Sequence, residues 1–235
     1  MNPFDSTIID FLNQFSQLSW TLDSTIRFIS GNHLIKGGVL LTIFWWGWFK
    51  TNEYQPYIQL HLIATLFSSF IAMIVARALA KSLPFRLRPI HEDNIDFTLP
   101  YSMKPTLLEG WSSLPSDHAV LFYALSAGMF YISKKVGIFA LIYTTLFICL
   151  PRIYLGLHYP TDIIAGAFIG IAITTVCNSN YFIVNKSQSV LDWSRSKPEY
   201  FYPIFFIITY QIADMFDSSR ALISFIKHIL QTIFF

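Results

Sequence analysis

Leu114-Pro115-Ser116-Asp117-His118 opens a stretch that closes with Arg152-Ile153-Tyr154-Leu155-Gly156-Leu157-His158-Tyr159-Pro160-Thr161-Asp162. Two apolar runs lie between these polar ends, about Asp117 to Ser133 and about Ile138 to Arg152. Lys134-Lys135 and Gly137 join them as a tight turn. Two apolar runs joined this way read as a helical hairpin. A hairpin returns the chain to the side it left. His118 and His158 are therefore predicted to meet at one edge, on one side of a membrane.

The membrane is implied by composition. Of 235 residues, 54% are hydrophobic and 13% charged, against about 25% charged in an average soluble domain. So few charges cannot cover a soluble surface of this size, and residues 1–235 read as one polytopic membrane domain. The 23 Phe, 12 Tyr and 6 Trp suit lipid-facing helices and interfacial belts. A net charge of +2 without a block of like charges gives no sign of nucleic acid. Cys149 and Cys177 form no Cys-x-x-Cys pair, so neither a disulfide framework nor a zinc site is indicated. The N-terminus lacks a basic region followed by an apolar one, and no cleavable signal is expected.

Outward from the hairpin, apolar runs at about His33 to Phe49 and Tyr57 to Leu79 precede it. A further run from Pro160 to about Cys177 follows, with Gly166 and Gly170 as a small-xxx-small packing pair. Each run is near the length that crosses roughly 30 Å of hydrocarbon, and residues 33–177 form the expected catalytic core. Between Lys81 and Pro115, five prolines argue against a continuous helix. In residues 1–30, apolar Ile8, Ile9, Phe11, Leu12, Phe15 and Leu18 alternate with Asp5, Asp10, Asn13 and Gln14. This pattern reads as interfacial amphipathic helices, with a polar first span as the alternative. Residues 178–199 read as a polar connection. Residues 200–235 read either as a span followed by an amphipathic helix or as a re-entrant pair. The expected fold class is all-α, a polytopic membrane helix bundle of about five to six spans.

Three polar clusters should share the edge where the hairpin begins and ends. They are Lys81 with Arg88, Ser116-Asp117-His118, and Arg152 with His158 and Asp162. Phosphoryl transfer without a metal needs fixed cations and donors for the anionic oxygens. Lys81, Arg88 and Arg152 can supply the cations, arginine as a bidentate fork. Ser116 stands at a helix start, where free amides and the helix dipole favour an anion. His158 can attack phosphorus if its ring is neutral and oriented, and Asp162, four residues on, can orient it. His118 can protonate the leaving group. Lys50, Lys134, Lys135, Lys186, Arg195 and Lys197 fall on the opposite side, which the positive-inside rule makes cytoplasmic.

The pattern Lys81-x6-Arg88-Pro89, Pro115-Ser116-x-His118 and Arg152-x5-His158-x3-Asp162 resembles the three-part signature of the type 2 phosphatidic acid phosphatase superfamily, over residues 81–162. The resemblance implies an acid phosphatase/haloperoxidase-like helical core and hydrolysis through a phosphohistidine, with no metal and no cofactor. It implies His158 as nucleophile, Asp162 as its partner, His118 as acid, and Lys81, Arg88, Ser116 and Arg152 as phosphate ligands. Two departures stand out. Asp117 replaces the usual Gly, and Pro151 replaces the usual Ser before Arg152. Asp117 also occurs in members resembling bacterial undecaprenyl-pyrophosphate phosphatases. It is grouped here with the phosphate site, where it would either repel a second phosphate or help move a proton.

The implied reaction is hydrolysis of a lipid phosphate or diphosphate, first of all undecaprenyl diphosphate to undecaprenyl phosphate. Phosphotransfer to another lipid, hydrolysis of phosphatidate or phosphatidylglycerol phosphate, and non-enzymatic anion or lipid transport are the alternatives. The implied partners are the lipid substrate and membrane lipids, with nothing indicating a protein partner. The implied location is the bacterial inner membrane, with the site facing the periplasm or exterior. Outside the signature, Arg86 reads as an interfacial charge, the Trp45–Trp48 cluster as a membrane belt, and Glu92, Asp93 and Asp96 as a solvated loop. His33, His61, His91 and His228 read as structural or interfacial.

Overall fold

The computed structural model describes residues 2–101, 103–179 and 181–234. Its regular elements, among these residues, are all helical. In chain order they are α1 (Pro3–Asn13), α2 (Trp20–Gly31), a π-helical segment Leu34–Gly38 leading into α3 (Val39–Phe49), and α4 (Gln55–Ser82). Next come α5 (Asp117–Gly128), then α6 (Lys134–Tyr143), which runs through a second π segment, Thr144–Cys149, into α7 (Leu150–Tyr154). The chain closes with α8 (Pro160–Ser179), α9 (Tyr181–Ser196), α10 (Pro198–Ala213) and α11 (Asp217–Phe234).

Local chemistry sets the helix starts. The Asn2, Ser19, Ser116 and Ser133 side chains each accept a first-turn amide. Pro160 opens α8, where proline costs no intrahelical hydrogen bond. The proline-rich stretch after α4 stays irregular apart from one short turn at Pro89–His91.

Three helices are long and apolar enough to cross a membrane: Gln55–Ser82, the continuous Lys134–Tyr154, and Pro160–Ser179, of 28, 21 and 20 residues. At about 1.5 Å per residue each reaches about 30 Å or more. The chain is an integral membrane protein. The shorter apolar helix Leu34–Phe49 accompanies them. The hairpin run from Asp117 spans less than the sequence suggests, because α5 gives way at Gly128 to a 3-10 turn, Met129–Tyr131.

The buried α5 organises the bundle, with α4, α8 and the α6–α7 helix around it. Its approach to α8 depends on two glycines. A Cβ on Gly166 would stand 2.7 Å from the Ala119 Cβ, and one on Gly170 would stand 2.3 Å from the Val120 carbonyl oxygen. Hydroxyl pairs link the hairpin, Ser126 to Thr144 at 2.9 Å and Tyr123 to Thr145 at 2.7 Å. These satisfy polar groups that hydrocarbon would leave unpaired.

Several expectations change. The tryptophan cluster is not simply a belt. Trp48 is fully buried and packs on Phe201 and Phe205 of α10 at 5.9 and 5.1 Å, while Trp46 stays exposed. The helix period turns Phe44 and Trp48 inward together. Residues 178–199, read as a polar connection, contain α9, which packs on α4, α8 and α10. The first helices do more than lie in the interface. Helix α1 packs on α7 and α8 and carries the buried Asp5, and Asp23 of α2 accepts from the Tyr154 hydroxyl at 2.5 Å. Beyond Lys197 come α10, a break with positive φ at Met215 and Phe216, and α11 with exposed Leu222, Ile223, Phe225 and Ile226.

Candidate active site

The loop between α7 and α8 carries the site. The Leu157 and His158 amides both donate to the Arg152 carbonyl, at 3.0 and 3.3 Å, and fold the loop back on α7. Gly156 allows this turn. Its φ is +68°, and a Cβ there would lie 2.6 Å from the Phe97 ring. Asp162 then closes the loop as its carboxylate accepts the Tyr159 amide at 2.8 Å.

His158 is buried, and its neighbours fix its tautomer. Its Nδ1 lies 2.9 Å from the Ser113 carbonyl oxygen. A carbonyl can only accept, so Nδ1 carries the proton. Its Nε2 lies 3.3 Å from Arg88 Nη1, and a guanidinium can only donate. The ring is therefore neutral, with the Nε2 lone pair turned toward a cation. Burial pushes the His158 imidazole down from its ordinary value; Asp162 works the other way, and the Arg88 cation deepens the shift. The orienting group differs from the expected one. Asp162 stands 3.7 Å from Nδ1, behind the closer Ser113 carbonyl.

Asp162 is fully buried and is itself held by Arg86, at 2.6 Å. Arg86 also pairs with Asp5 at 2.7 Å, donates to the Thr161 hydroxyl at 2.9 Å, and lies over the Tyr159 ring at 4.0 Å. Asp5 accepts the Thr161 amide and hydroxyl as well. Arg86 is thus no interfacial charge but the centre of a carboxylate–arginine–carboxylate array behind the nucleophile. A signal for it was present. Pro84 and Pro89 force extended backbone on Leu83 and Arg88, the residues before them. In extended chain, residues two apart face the same side, as Arg86 and Arg88 do.

The second half of the site sits on α5 and α7. Arg152 donates to His118 Nε2 at 2.5 Å and to the Ser30 carbonyl at 3.1 Å. His118 lies within electrostatic reach of Arg152, Lys36, His158 and Arg88. Ser116 is fully buried and caps α5 through Ala119 N at 3.5 Å. Its own amide is taken by the Asp162 carbonyl at 3.2 Å, which ties the two motifs together. The first-turn amides of Asp117 and His118 have no acceptor inside their helix.

Both motif arginines are buried and lack a carboxylate partner among the described residues. Arg88 spends Nη1 on the Leu157 carbonyl at 2.5 Å, and the Nε atoms of Arg88 and Arg152 have no partner. An orphaned buried N–H is costly, and an anion seated between the two guanidiniums would satisfy it.

Two expected phosphate ligands stand elsewhere. Asp117 is ion-paired with Arg77 of α4 at 2.5 Å, and Arg77 in turn covers the Trp111 ring. Its carboxylate is engaged there. Lys81 is exposed at the end of α4 and makes no hydrogen bond or ion pair among the described residues. Sequence reasoning missed Arg86, Asp5, Arg77 and the Ser113 carbonyl.

The site joins two histidines and two buried arginines at one edge of a helical membrane bundle, the arginines without a carboxylate partner among the described residues. Residues 58–186 match the PAP2 superfamily, and the chain belongs to it. It is 35% identical over 102 residues to the bacitracin transport permease protein BcrC of Bacillus licheniformis, a match covering 43% of this chain and 48% of that protein. The chain thus spans about half of that relative. It is 24% identical to the undecaprenyl-diphosphatase BcrC of Bacillus subtilis, over 71% of this chain and 78% of that one. It is 28% identical to the lipid A 1-diphosphate synthase of Escherichia coli, over 73% of each chain. No solved structure matches.

Proposed function

We propose that this protein is a lipid phosphatase that hydrolyses undecaprenyl diphosphate to undecaprenyl phosphate through a phosphohistidine on His158. One observation carries the reading. Buried Arg88 lies 3.3 Å from the unprotonated Nε2 of His158, buried Arg152 contacts His118, and both arginines have an unpartnered Nε among the described residues. The diphosphatase relative supports the choice of substrate.

Arg88 and Arg152 hold the terminal phosphate, and the α5 amides add donors. His158 Nε2 attacks phosphorus. The bond to the bridging oxygen breaks, and that oxygen takes a proton from His118. Arg152 must first leave His118 Nε2 for the phosphate, which frees that nitrogen to carry the proton. Water then attacks the phosphohistidine, with His118 taking its proton. The Ser113 carbonyl and Asp162 steady the imidazolium charge that develops. No step in this scheme calls for a metal or cofactor.

The substrate tail stays in the bilayer beside the bundle. If Leu34–Phe49, α5 and α10 cross beside the three long helices, the chain has five to six spans, with the site on the periplasmic or outer face of a bacterial inner membrane. Phosphatidate and phosphatidylglycerol phosphate fit the same chemistry. A second reading, transfer of the phosphoryl group to a lipid hydroxyl, is favoured by the diphosphate synthase relative. Transport without cleavage explains the cations but gives no use to an oriented nucleophile.

The test is phosphate release from a panel of lipid phosphates and diphosphates in detergent with chelator present. Release that is blocked by orthovanadate and lost in His158→Ala is the expected result. Label passing into lipid rather than free phosphate would select the transferase reading.

A further inference from the structure

We propose that Lys36 binds the departing phosphate of a diphosphate substrate and so selects a phosphoanhydride over a phosphate monoester. The inference rests on the phosphatase reading above. Lys36 lies outside the signature motifs and outside residues 58–186.

Lys36 is 3% exposed, and lysine is almost never buried without a partner. Among the described residues no hydrogen bond or ion pair engages its ammonium group. The Asp214 and Asp217 carboxylates lie within its electrostatic reach but are held by others. Asp214 pairs with His33 at 3.2 Å and accepts the Ser218 amide at 2.6 Å, and Asp217 pairs with Arg220. The segment that carries Lys36 packs on the one that leads to Arg152, and the Lys36 charge bears on both Arg152 and His118.

The backbone is built to hold it there. Lys36 occupies the π segment Leu34–Gly38, and the second π segment, Thr144–Cys149, packs against the first and leads into α7, which carries Arg152. Such wide turns are rare and gather at functional sites. Gly37 lies directly on Ala213, where any Cβ would come within 2.3 Å of its Cα, and the Tyr143 hydroxyl donates to the Ile35 carbonyl at 2.5 Å. The segment cannot slide without breaking both contacts.

Position then decides the role. His158 and Arg88 define the side of attack, and His118 the side of departure. When the N–P bond forms and the bridging P–O bond breaks, the electron pair stays on the bridging oxygen. From a monoester this oxygen becomes an alcohol, neutral once His118 has protonated it. From a diphosphate it belongs to a lipid monophosphate, which keeps its own negative charge. Only the second leaving group needs a cation on the side of the acid, and the buried Lys36 is the lysine whose charge reaches His118.

The experiment compares farnesyl diphosphate with farnesyl monophosphate in detergent for wild type, Lys36→Met and Lys36→Arg. Lys36→Met is expected to lose about 10- to 100-fold in kcat/KM on the diphosphate, the loss of one charge-assisted contact. It should keep monophosphate activity within about 3-fold, and Lys36→Arg should recover most diphosphate activity. Equal losses on both substrates, or none, would overturn the proposal. A wild-type protein that cleaves neither substrate would instead sink the phosphatase reading. If Lys36→Met does not fold, inhibition of Lys36→Gln by methylenediphosphonate and by orthophosphate decides. Selective loss of diphosphonate inhibition supports Lys36, and parallel inhibition contradicts it.

Discussion

The two histidines of the site live in opposite surroundings. His158 has both ring nitrogens engaged, with two buried carboxylates and the half-buried Arg86 behind it. His118 is in contact with the Arg152 cation and within reach of Lys36, with no carboxylate in contact among the described residues. The first side is complete without substrate. The second gathers positive charge with no carboxylate in contact with Arg152 or Lys36 among the described residues. A nucleophile must be oriented in advance, because misorientation raises the barrier directly. An acid beside a departing anion needs cations that the substrate itself neutralises. The difference assigns attack to the finished side and departure to the unfinished one.

The largest effect should come from breaking the finished side. Arg86→Met leaves Asp5 and Asp162 buried without their shared cation. Removing one member of a buried ion pair costs about 3 to 5 kcal/mol. Thermal unfolding in detergent should show a large drop, with activity falling alongside. An unchanged midpoint would mean that the array contributes nothing to holding Asp162.

A smaller effect is expected on the unfinished side. Arg152→Lys keeps the charge but loses the fork, and Lys cannot reproduce bidentate phosphate contact. Activity should drop about 10- to 100-fold at nearly unchanged stability. A stability loss matching that of Arg86→Met would erase the contrast between the two sides.

The smallest and most diagnostic effect is a shift with pH. Attack requires neutral His158, and burial with the Arg88 cation holds its pKa below the ordinary value. Activity should therefore persist as pH falls through the usual imidazole range and fail only below it. Arg88→Gln removes a cation that disfavours the charged ring, so the acidic limb of the residual kcat/KM should move to higher pH. A limb that stays put or moves lower would detach Arg88 from His158.

Much of this was legible in the sequence. Apolar runs bounded by polar turns marked the helices, and motif spacing placed Arg88, His118, Arg152 and His158 on one edge. What sequence could not yield depends on tertiary approach. Asp5 meets Thr161 across 156 positions, and nothing in an amphipathic N-terminal helix marks that meeting. Ser113 acts through its carbonyl, which every residue has. Lys36 carries no mark in the sequence beyond a place near the start of an apolar run, and its burial comes with the π segment and the close approach of Gly37 to Ala213. Asp117 looked like part of the phosphate site because of where it stands, and it is its partner on α4, Arg77, that explains it.

The most direct test of His158 as nucleophile is to trap the covalent intermediate. Wild-type protein given labelled lipid diphosphate and quenched rapidly should carry it. Mass spectrometry should place an acid-labile phosphate on the His158 peptide, and His158→Ala should show none. Phosphate on another residue, or lipid cleavage persisting in His158→Ala, would contradict the account.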